Sequence, residues 1–390
     1  MAAMNAYQWN MPTRVVFGAG ALARLAEYCA PFGTRPFIVT GRHSARAGGL
    51  VDRLLDAYPH AVVFDGVDEN PGTRVCGEAA ALCRAGECGF VIGLGGGSAM
   101  DAAKVIAVLA VNDQPCASLF GNDQYKLPPL PIVAVPTTAG TGSEVTPYSV
   151  LVDEAANAKR TVRGAALFPV LALLDPELTV SMPRGVTIAT GLDALSQAME
   201  GVVSRQSCEM GDPFALETVR LVRRWLPAAA DHPGDIAARG ALLHAAMLSG
   251  MIIAQTGTTV VHGMGYYFTL RHGIAHGLAN GLLLAPVFAF NAGQVPEKVA
   301  ALCDALGCPA DPADPDAVAR AVGEGIHGLF RDLGVSPAAR DHGVPDGAVE
   351  AYASDIAGDP YRFRNQPGTL DEAVFLKLFR ASHEGAAFRM

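Results

Sequence analysis

Residues able to do chemistry crowd into two stretches of this chain. In Gly191-Leu192-Asp193-Ala194-Leu195-Ser196-Gln197-Ala198-Met199-Glu200, Asp193 and Gln197 stand four residues apart, so on a helix both project from one face. Downstream, Val261-His262-Gly263-Met264-Gly265-Tyr266 and Arg271-His272-Gly273-Ile274-Ala275-His276-Gly277 place His262, His272 and His276 within fifteen residues, in a chain with only ten histidines. Such density in an apolar region points to a metal or proton-transfer site, because imidazole binds divalent metals and titrates near neutrality. The competing reading is a set of hydrogen-bonded core histidines. The aromatic run Tyr266-Tyr267-Phe268 divides in the same way, between the wall of a substrate pocket and helix core.

A different chemistry belongs to the first half. Gly93-Leu94-Gly95-Gly96-Gly97-Ser98-Ala99-Met100-Asp101 follows an apolar run and leads into a helical pattern at 102–109. Glycines let backbone N–H groups approach a pyrophosphate, and a helix N-terminus adds favourable partial charge. The same glycines would also serve a plain tight turn. A second loop, Pro136-Thr137-Thr138-Ala139-Gly140-Thr141-Gly142-Ser143-Glu144-Val145-Thr146, interleaves hydroxyls with glycines and supplies donors for phosphate or ribose oxygens. A third segment, Gly41-Arg42-His43-Ser44, ends the apolar run 36–40, where a nucleotide-binding sheet meets the adenosine ribose. No acidic residue is present there to accept from a free 2′-hydroxyl. Gly41 leaves room, and Arg42 with Ser44 suits a 2′-phosphate, so NADP(H) is expected in preference to NAD(H).

These residues need a scaffold, and the pattern supplies one. From Arg14 to about Asp175, β-branched runs at 36–40, 61–64, 90–93, 132–136 and 171–174 alternate with Ala-rich helical segments, which predicts an α/β domain with a mostly parallel sheet. After Pro183 only helical periodicity remains, at 185–204, 213–228, 236–250, 278–291, 296–307, 316–333 and 369–382. Pro- and Asp-rich stretches at 308–316 and 334–346 read as inter-helix loops. The expected organisation is residues 1–180 as a dinucleotide-binding domain and 181–390 as an all-helical domain, with a cleft between them.

Composition narrows the partners. The net charge is −9 with Lys and Arg scattered, which leaves no footprint for nucleic acid or anionic lipid. Half the residues are apolar, yet no uninterrupted apolar run of membrane-spanning length appears, so the expectation is a cytoplasmic protein with no membrane partner. Eight cysteines show no CxxC or disulfide-framework spacing and are expected as buried thiols.

Taken in order, the motifs resemble those of the iron-containing (group III) alcohol dehydrogenases nearly end to end. The resemblance runs through Val15-Val16-Phe17-Gly18-Ala19-Gly20, Asn70-Pro71, Gly95-Gly96-Gly97-Ser98 with Asp101 and Lys104, and the loop 136–146. It continues through Asp175-Pro176, the Asp193 helix, His276-Gly277-Leu278-Ala279-Asn280 and Asn365-Gln366-Pro367. It implies the dehydroquinate synthase-like fold, a homodimer, and hydride transfer between nicotinamide and a small alcohol or aldehyde. It also implies a divalent ion, Fe2+ or Zn2+, with Asp193, residue 197, His262 and His276 as ligands by matched position. By the same matching, Gly95, Gly96, Gly97, Ser98, Thr137, Thr138 and Thr141 contact pyrophosphate, Asn70 and Asp101 belong with the cofactor-binding residues, and Lys159, near the nicotinamide ribose, counts with both the cofactor-binding and the catalytic residues.

Two positions depart from the family pattern. Gln197 replaces a histidine, and an amide oxygen is a harder and weaker donor than imidazole nitrogen. Tyr266 replaces a further histidine, which leaves the proton relay to Tyr266 or His272. Two rivals follow. One is a metal-free reductase resembling maleylacetate reductases, against which the retained Asp193 argues, since a buried carboxylate needs a compensating cation. The other is an NADP-binding protein without turnover.

Overall fold

The computed structural model describes residues 6–156 and 158–386. They group into two compact units, Met11–Met182 and a second running from Pro183 onward that also takes in the segment ending at Asn10.

The first unit is built on a six-stranded sheet. Its strands are β1 (Arg14–Phe17), β2 (Pro36–Gly41), β3 (Val62–Val67), β4 (Phe90–Gly95), β6 (Ile132–Pro136) and β9 (Leu171–Leu174), in the spatial order β1-β9-β6-β4-β2-β3. Every pairing in it is parallel. Helices α1 (Leu25–Cys29), α2 (Ser44–Ala47), α3 (Leu50–Ala57), α4 (Thr73–Ala85) and α5 (Gly97–Leu109) cover it. Because both faces are covered, the central strands are apolar at consecutive positions. In β2, Phe37 and Val39 enter one core cluster with Ala79, Ala103 and Ile106, while Ile38 enters the other with Leu25, Val51 and Leu54. Strands read as 61–64 and 90–93 extend to Val67 and Gly95, and it is those extra residues that deliver the loops.

Strand order reverses between β2 and β4, because the chain leaves β2 toward β3 and returns on its other side. In open parallel sheets, ligands bind outside the strand C-termini at such a switch point. Gly41 and Gly95 end the two strands that flank it.

The βαβ alternation is interrupted by a small second sheet that the periodicity does not predict. A second sheet holds β5 (Gly121–Asn122), β7 (Tyr148–Asp153) and β8 (Ala158–Arg163), and β7 pairs antiparallel with β8. Tyr148 to Asp153 alternates half-buried and buried residues, the signature of a strand with one covered face. Asp153 stabilises the turn by accepting from Ala156 N at 3.2 Å and pairing with Arg160 at 2.9 Å.

The second unit is helical: α6 (Arg184–Val203), α7 (Asp212–Asp231), α8 (Ile236–Thr256), α9 (Val260–His272), α10 (His276–Ala292), α11 (Pro296–Leu306), α12 (Pro315–Asp332), α13 (Ala348–Ala357) and α14 (Glu372–Glu384). Aspartates punctuate several N-termini. Asp235, Asp314 and Asp371 each accept from backbone N–H groups of α8, α12 and α14 at 2.9–3.1 Å. The cap at Asp371 is why the last helix begins at Glu372 and not at residue 369. Helix α8 is long and apolar enough to cross a membrane, but 67% of that window is buried within the protein. The eight cysteines are unpaired thiols, all buried except the half-buried Cys308.

Helices α9 and α13 are absent from the sequence expectation. Val260, Val261, Gly263 and Gly265 all have modest helix propensity, so α9 is held by its packing. Its neighbour α10 starts close against α6. A Cβ at Gly277 would lie 1.8 Å from Ala189 O and 2.7 Å from the Asp193 Cβ, so only glycine permits that approach.

Candidate functional site

The first unit carries a phosphate-type cradle. Helix α5 opens at Gly97, and the first N–H groups of an α-helix have no partner within it. A Cβ at Gly97 would sit 2.8 Å from Thr141 Cγ2, so the missing side chain brings the glycine turn and the hydroxyl loop together. Asn70, in left-handed backbone at φ 59°, donates its N–H to Ser98 Oγ at 3.3 Å and joins the exit of β3 to the same place. Thr137, Thr138 and Thr141 are half-buried. Lys159, on β8, is half-buried; burial lowers its pKa, and the charge of Glu69 partly opposes this.

Lys104 is not the solvated helix residue that its sequence position allows. It is wholly buried, and Nζ donates to Ser143 Oγ at 2.8 Å, Thr146 Oγ1 at 3.1 Å and Tyr148 O at 2.8 Å. Asp101 completes the clamp by accepting from Ser143 Oγ at 2.5 Å and Val150 N at 2.8 Å. Both of its oxygens are therefore engaged in holding the hydroxyl loop and the hairpin against α5. Asp175 does similar work at the far edge, accepting from Gly20 N at 3.1 Å and Leu22 N at 3.0 Å.

Beside Lys104, burial lowers the ammonium pKa to about 8 and raises that of the Glu144 carboxyl to about 7. A carboxyl whose folded pKa is raised contributes stability below its unfolded value near 4.5, and loses that contribution as pH rises through about 7. Glu144→Gln removes the ionisation. Chemical denaturation should therefore find the variant equal to wild type near pH 4 and more stable near pH 8, by up to roughly 3 kcal/mol. A wild-type curve without that decline would refute the assignment.

At the ribose end, Arg42 is exposed and pairs with Asp68 from just past β3, with one contact of 2.9 Å, and Arg46 pairs with Asp65. The carboxylates missing from the end of β2 thus arrive from the neighbouring strand. His43 and Ser44 are exposed and Gly41 is half-buried.

The second unit carries the other cluster. Asp193 and Gln197 lie on α6, His262 in the first turn of α9, and His276 at the start of α10. Asp193 Oδ1 stands 3.6 Å from His262 Nε2 and 3.9 Å from His276 Nε2, and one ligand atom from each residue lies within 4.8 Å of the others. Donor atoms about 2.1 Å from a common ion are roughly 3–4 Å apart, so this set fits a divalent cation. Burial alone would raise the Asp193 carboxyl, but a hydrogen bond from His262 and the charges of His276 and His262 hold it below the usual range.

Glu200, which the sequence reading passed over, stands behind His262. It is wholly buried, and its carboxylate meets His262 Nδ1, accepts from Thr259 N at 2.8 Å and Thr259 Oγ1 at 2.7 Å, and caps the start of α9. Burial pulls His262 down, but Glu200 and Asp193 outweigh it and raise its pKa to about 10. A carboxylate on the far ring nitrogen is the usual support of a ligating histidine, since it fixes the tautomer and aims Nε2. Asn280, one turn into α10, places Nδ2 at 3.2 Å from Asp193 Oδ1 and 3.3 Å from His276 Nε2.

Tyr266 stacks on His276, with ring centroids 5.4 Å apart and planes 25° from parallel. Tyr267 packs on Tyr352 and Phe379, and Phe268 is core. The aromatic run therefore divides, with one ring at the cluster and two away from it. His272 does not join the cluster. It ends α9, about 15 Å along the axis from His262, and its Nε2 lies 2.5 Å from Tyr352 Oη.

Comparison with known proteins identifies the family. Residues 12–176 match the family described as "Iron-containing alcohol dehydrogenase", and residues 187–383 match "Fe-containing alcohol dehydrogenase family, C-terminal". The chain is 33% identical over 387 residues to Long-chain-alcohol dehydrogenase 1 of Geobacillus thermodenitrificans, spanning 95% of this chain and 97% of that one. Among solved structures, a 1,3-propanediol oxidoreductase superposes with a TM-score of 0.91 at 28% identity, over 97% of this chain and 100% of the other. A sulfoacetaldehyde reductase from Bifidobacterium kashiwanohense, solved with NAD+, does so at 0.88 and 30%, over 97% and 99%. Since these likenesses run through both units, the chain belongs to the iron-containing alcohol dehydrogenase family and is an oxidoreductase acting on CH–OH groups.

Proposed function

We propose that this enzyme passes hydride between a nicotinamide dinucleotide, NADP(H) in preference to NAD(H), and a small alcohol or aldehyde, with Fe2+ or Zn2+ held by Asp193, His262 and His276. The observation that carries the reading is the convergence of Asp193 Oδ1 on the two imidazole Nε2 atoms at 3.6 and 3.9 Å. A cation bound there supplies Lewis-acid polarisation of the substrate oxygen.

The chain's own residues do the rest. Asp193 provides the negative charge that makes a buried cation favourable. Glu200 holds His262 in the tautomer whose Nε2 faces the cluster. Tyr266, stacked on His276, covers one side of the cluster, and we assign the proton relay to its Oη, since His272 is committed to Tyr352. In the first unit, the N-terminus of α5 with Ser98 and Thr137, Thr138 and Thr141 offers donors to the pyrophosphate. Asn70 and Lys159 approach the same dinucleotide in this reading. Domain boundaries near residue 180 and a homodimer belong to it as well, on the strength of family membership.

The preference for NADP(H) rests on Gly41, which carries no carboxylate to repel a 2′-phosphate, and on the guanidinium of Arg42. Asp68 already pairs with that arginine, so the expected preference is modest.

The test is an assay of chelator-stripped and Fe2+- or Zn2+-restored protein against a panel of short alcohols and aldehydes with both cofactors. Activity should vanish on stripping, return with metal, and favour NADPH in kcat/KM. Arg42→Ala should lower the NADPH value by about 10-fold and spare NADH. Full activity without metal would remove the central element of the reading.

A further inference from the structure

The Gln197 side chain lies beside the cluster, one helical turn along α6 from Asp193, and its two ends are distinguished by their partners. Nε2 donates to Asp193 Oδ2 at 3.2 Å, and Oε1 accepts from Ser249 Oγ at 2.9 Å. An ionised carboxylate oxygen can only accept, so the atom facing it is the amide nitrogen. Ser249, buried on α8, also lies 2.8 Å from Ala246 O, so its single hydroxyl proton is shared between that carbonyl and Gln197 Oε1, and the orientation of the amide is set by the Asp193 contact.

The Asp193 carboxylate is thereby divided. Oδ1 faces His262 and His276 and also receives Asn280 Nδ2 at 3.2 Å, while Oδ2 is held by Gln197. Turning the amide over would set its oxygen against Asp193 Oδ2, where two acceptors repel and a buried hydrogen bond is lost.

We propose that Gln197 is a positioning residue and not a ligand: contacting Ser249, it fixes the outer oxygen of Asp193 and leaves one carboxylate and two imidazoles as the ligands to the ion among the described residues. This inference rests on the ligand reading given under Proposed function. A two-histidine, one-carboxylate set leaves several coordination positions open and suits Fe2+. The amide then governs how firmly Asp193 is aimed, while the number of bonds to the ion does not depend on it.

Water-proton relaxation of Mn2+ titrated into the chelator-stripped full chain distinguishes the two roles. On a six-coordinate ion, three protein ligands leave roughly three exchangeable waters and four leave roughly two. The wild type should show about three. Gln197→Leu should show the same number, with Mn2+ affinity about 10-fold weaker because Asp193 has lost its support. A count of about two in the wild type, or a gain of one water in Gln197→Leu, overturns this inference and leaves the three-ligand assignment standing. Failure of the wild type to bind Mn2+ overturns both. The wild-type count decides the matter even where the variant does not fold.

Discussion

Asp193→Asn should purify with little metal and lose at least about 1,000-fold in kcat/KM. The substitution keeps the shape of the side chain and removes its charge. Asp193 is buried among His262, His276, Gln197 and Asn280, and in the ligand reading it is the only anion among the groups that would touch a cation. An amide oxygen in its place leaves two neutral imidazoles and no compensating charge, which costs several kcal/mol at a desolvated site. Each 1.36 kcal/mol is tenfold in rate, so about 4 kcal/mol gives the stated loss. Metal analysis of the purified variant, with steady-state kinetics after metal is added back, provides the check. A variant that kept both its metal and its rate would rule out Asp193 as a ligand.

Glu200→Gln should damage both the site and the fold. Oε1 accepts from Thr259 N at 2.8 Å, Thr259 Oγ1 at 2.7 Å and His262 N at 3.3 Å, and Oε2 faces His262 Nδ1. All of these partners sit at the start of α9, where a carboxylate also complements the helix dipole. Glutamine has one acceptor oxygen and one amide nitrogen, so one orientation sets an N–H against the donors of Thr259, and the other sets it against His262 Nδ1, which must then give up its proton and turn an Nε2–H towards the cluster. The expected loss is about 3 kcal/mol of unfolding free energy, as for breaking a buried charged network, together with a 10- to 100-fold loss in metal affinity as His262 is no longer aimed. Chemical denaturation of the metal-free protein measures the first effect and metal titration the second. Normal metal affinity alongside a large stability loss would make Glu200 only a cap of α9.

The parallel core of the first unit was legible because its strands are apolar runs bounded by Gly, Pro and Asp, and because both sheet faces are covered. The two glycine-bearing loops fall where those runs end, so strand periodicity alone places them. The β7–β8 hairpin was not legible. Val150, Leu151 and Val152 lie amid Ser149, Asp153, Glu154, Lys159 and Arg160, and the hairpin's stability comes from pairing across the turn and from Asp101 accepting Val150 N. Helix α9 was missed because its glycines and β-branched residues speak against a helix locally, whereas packing on α10 and the Glu200 cap favour one. Lys104 illustrates the same limit. A lysine seven residues past the start of a helix looks solvated until the hairpin and the hydroxyl loop close over it.

What the sequence alone determined was an ordered set of motifs specific enough for the family, the α/β and all-helical halves, and the residue types that can hold a dinucleotide and a metal. Those properties are local, set by periodicity, by glycine at strand ends and by histidine density. The tertiary structure decided which of the candidates meet. It brought His262 and His276 to Asp193 and left His272 with Tyr352, because helix rise separates residues ten apart while a chain reversal joins those fourteen apart. It also placed Glu200 behind His262, Ser249 behind Gln197, and Asp65 of β3 with Asp68 just past it against two arginines that follow β2. Each of these pairings depends on a contact between distant segments, and spacing along one chain cannot encode which buried donor finds which acceptor.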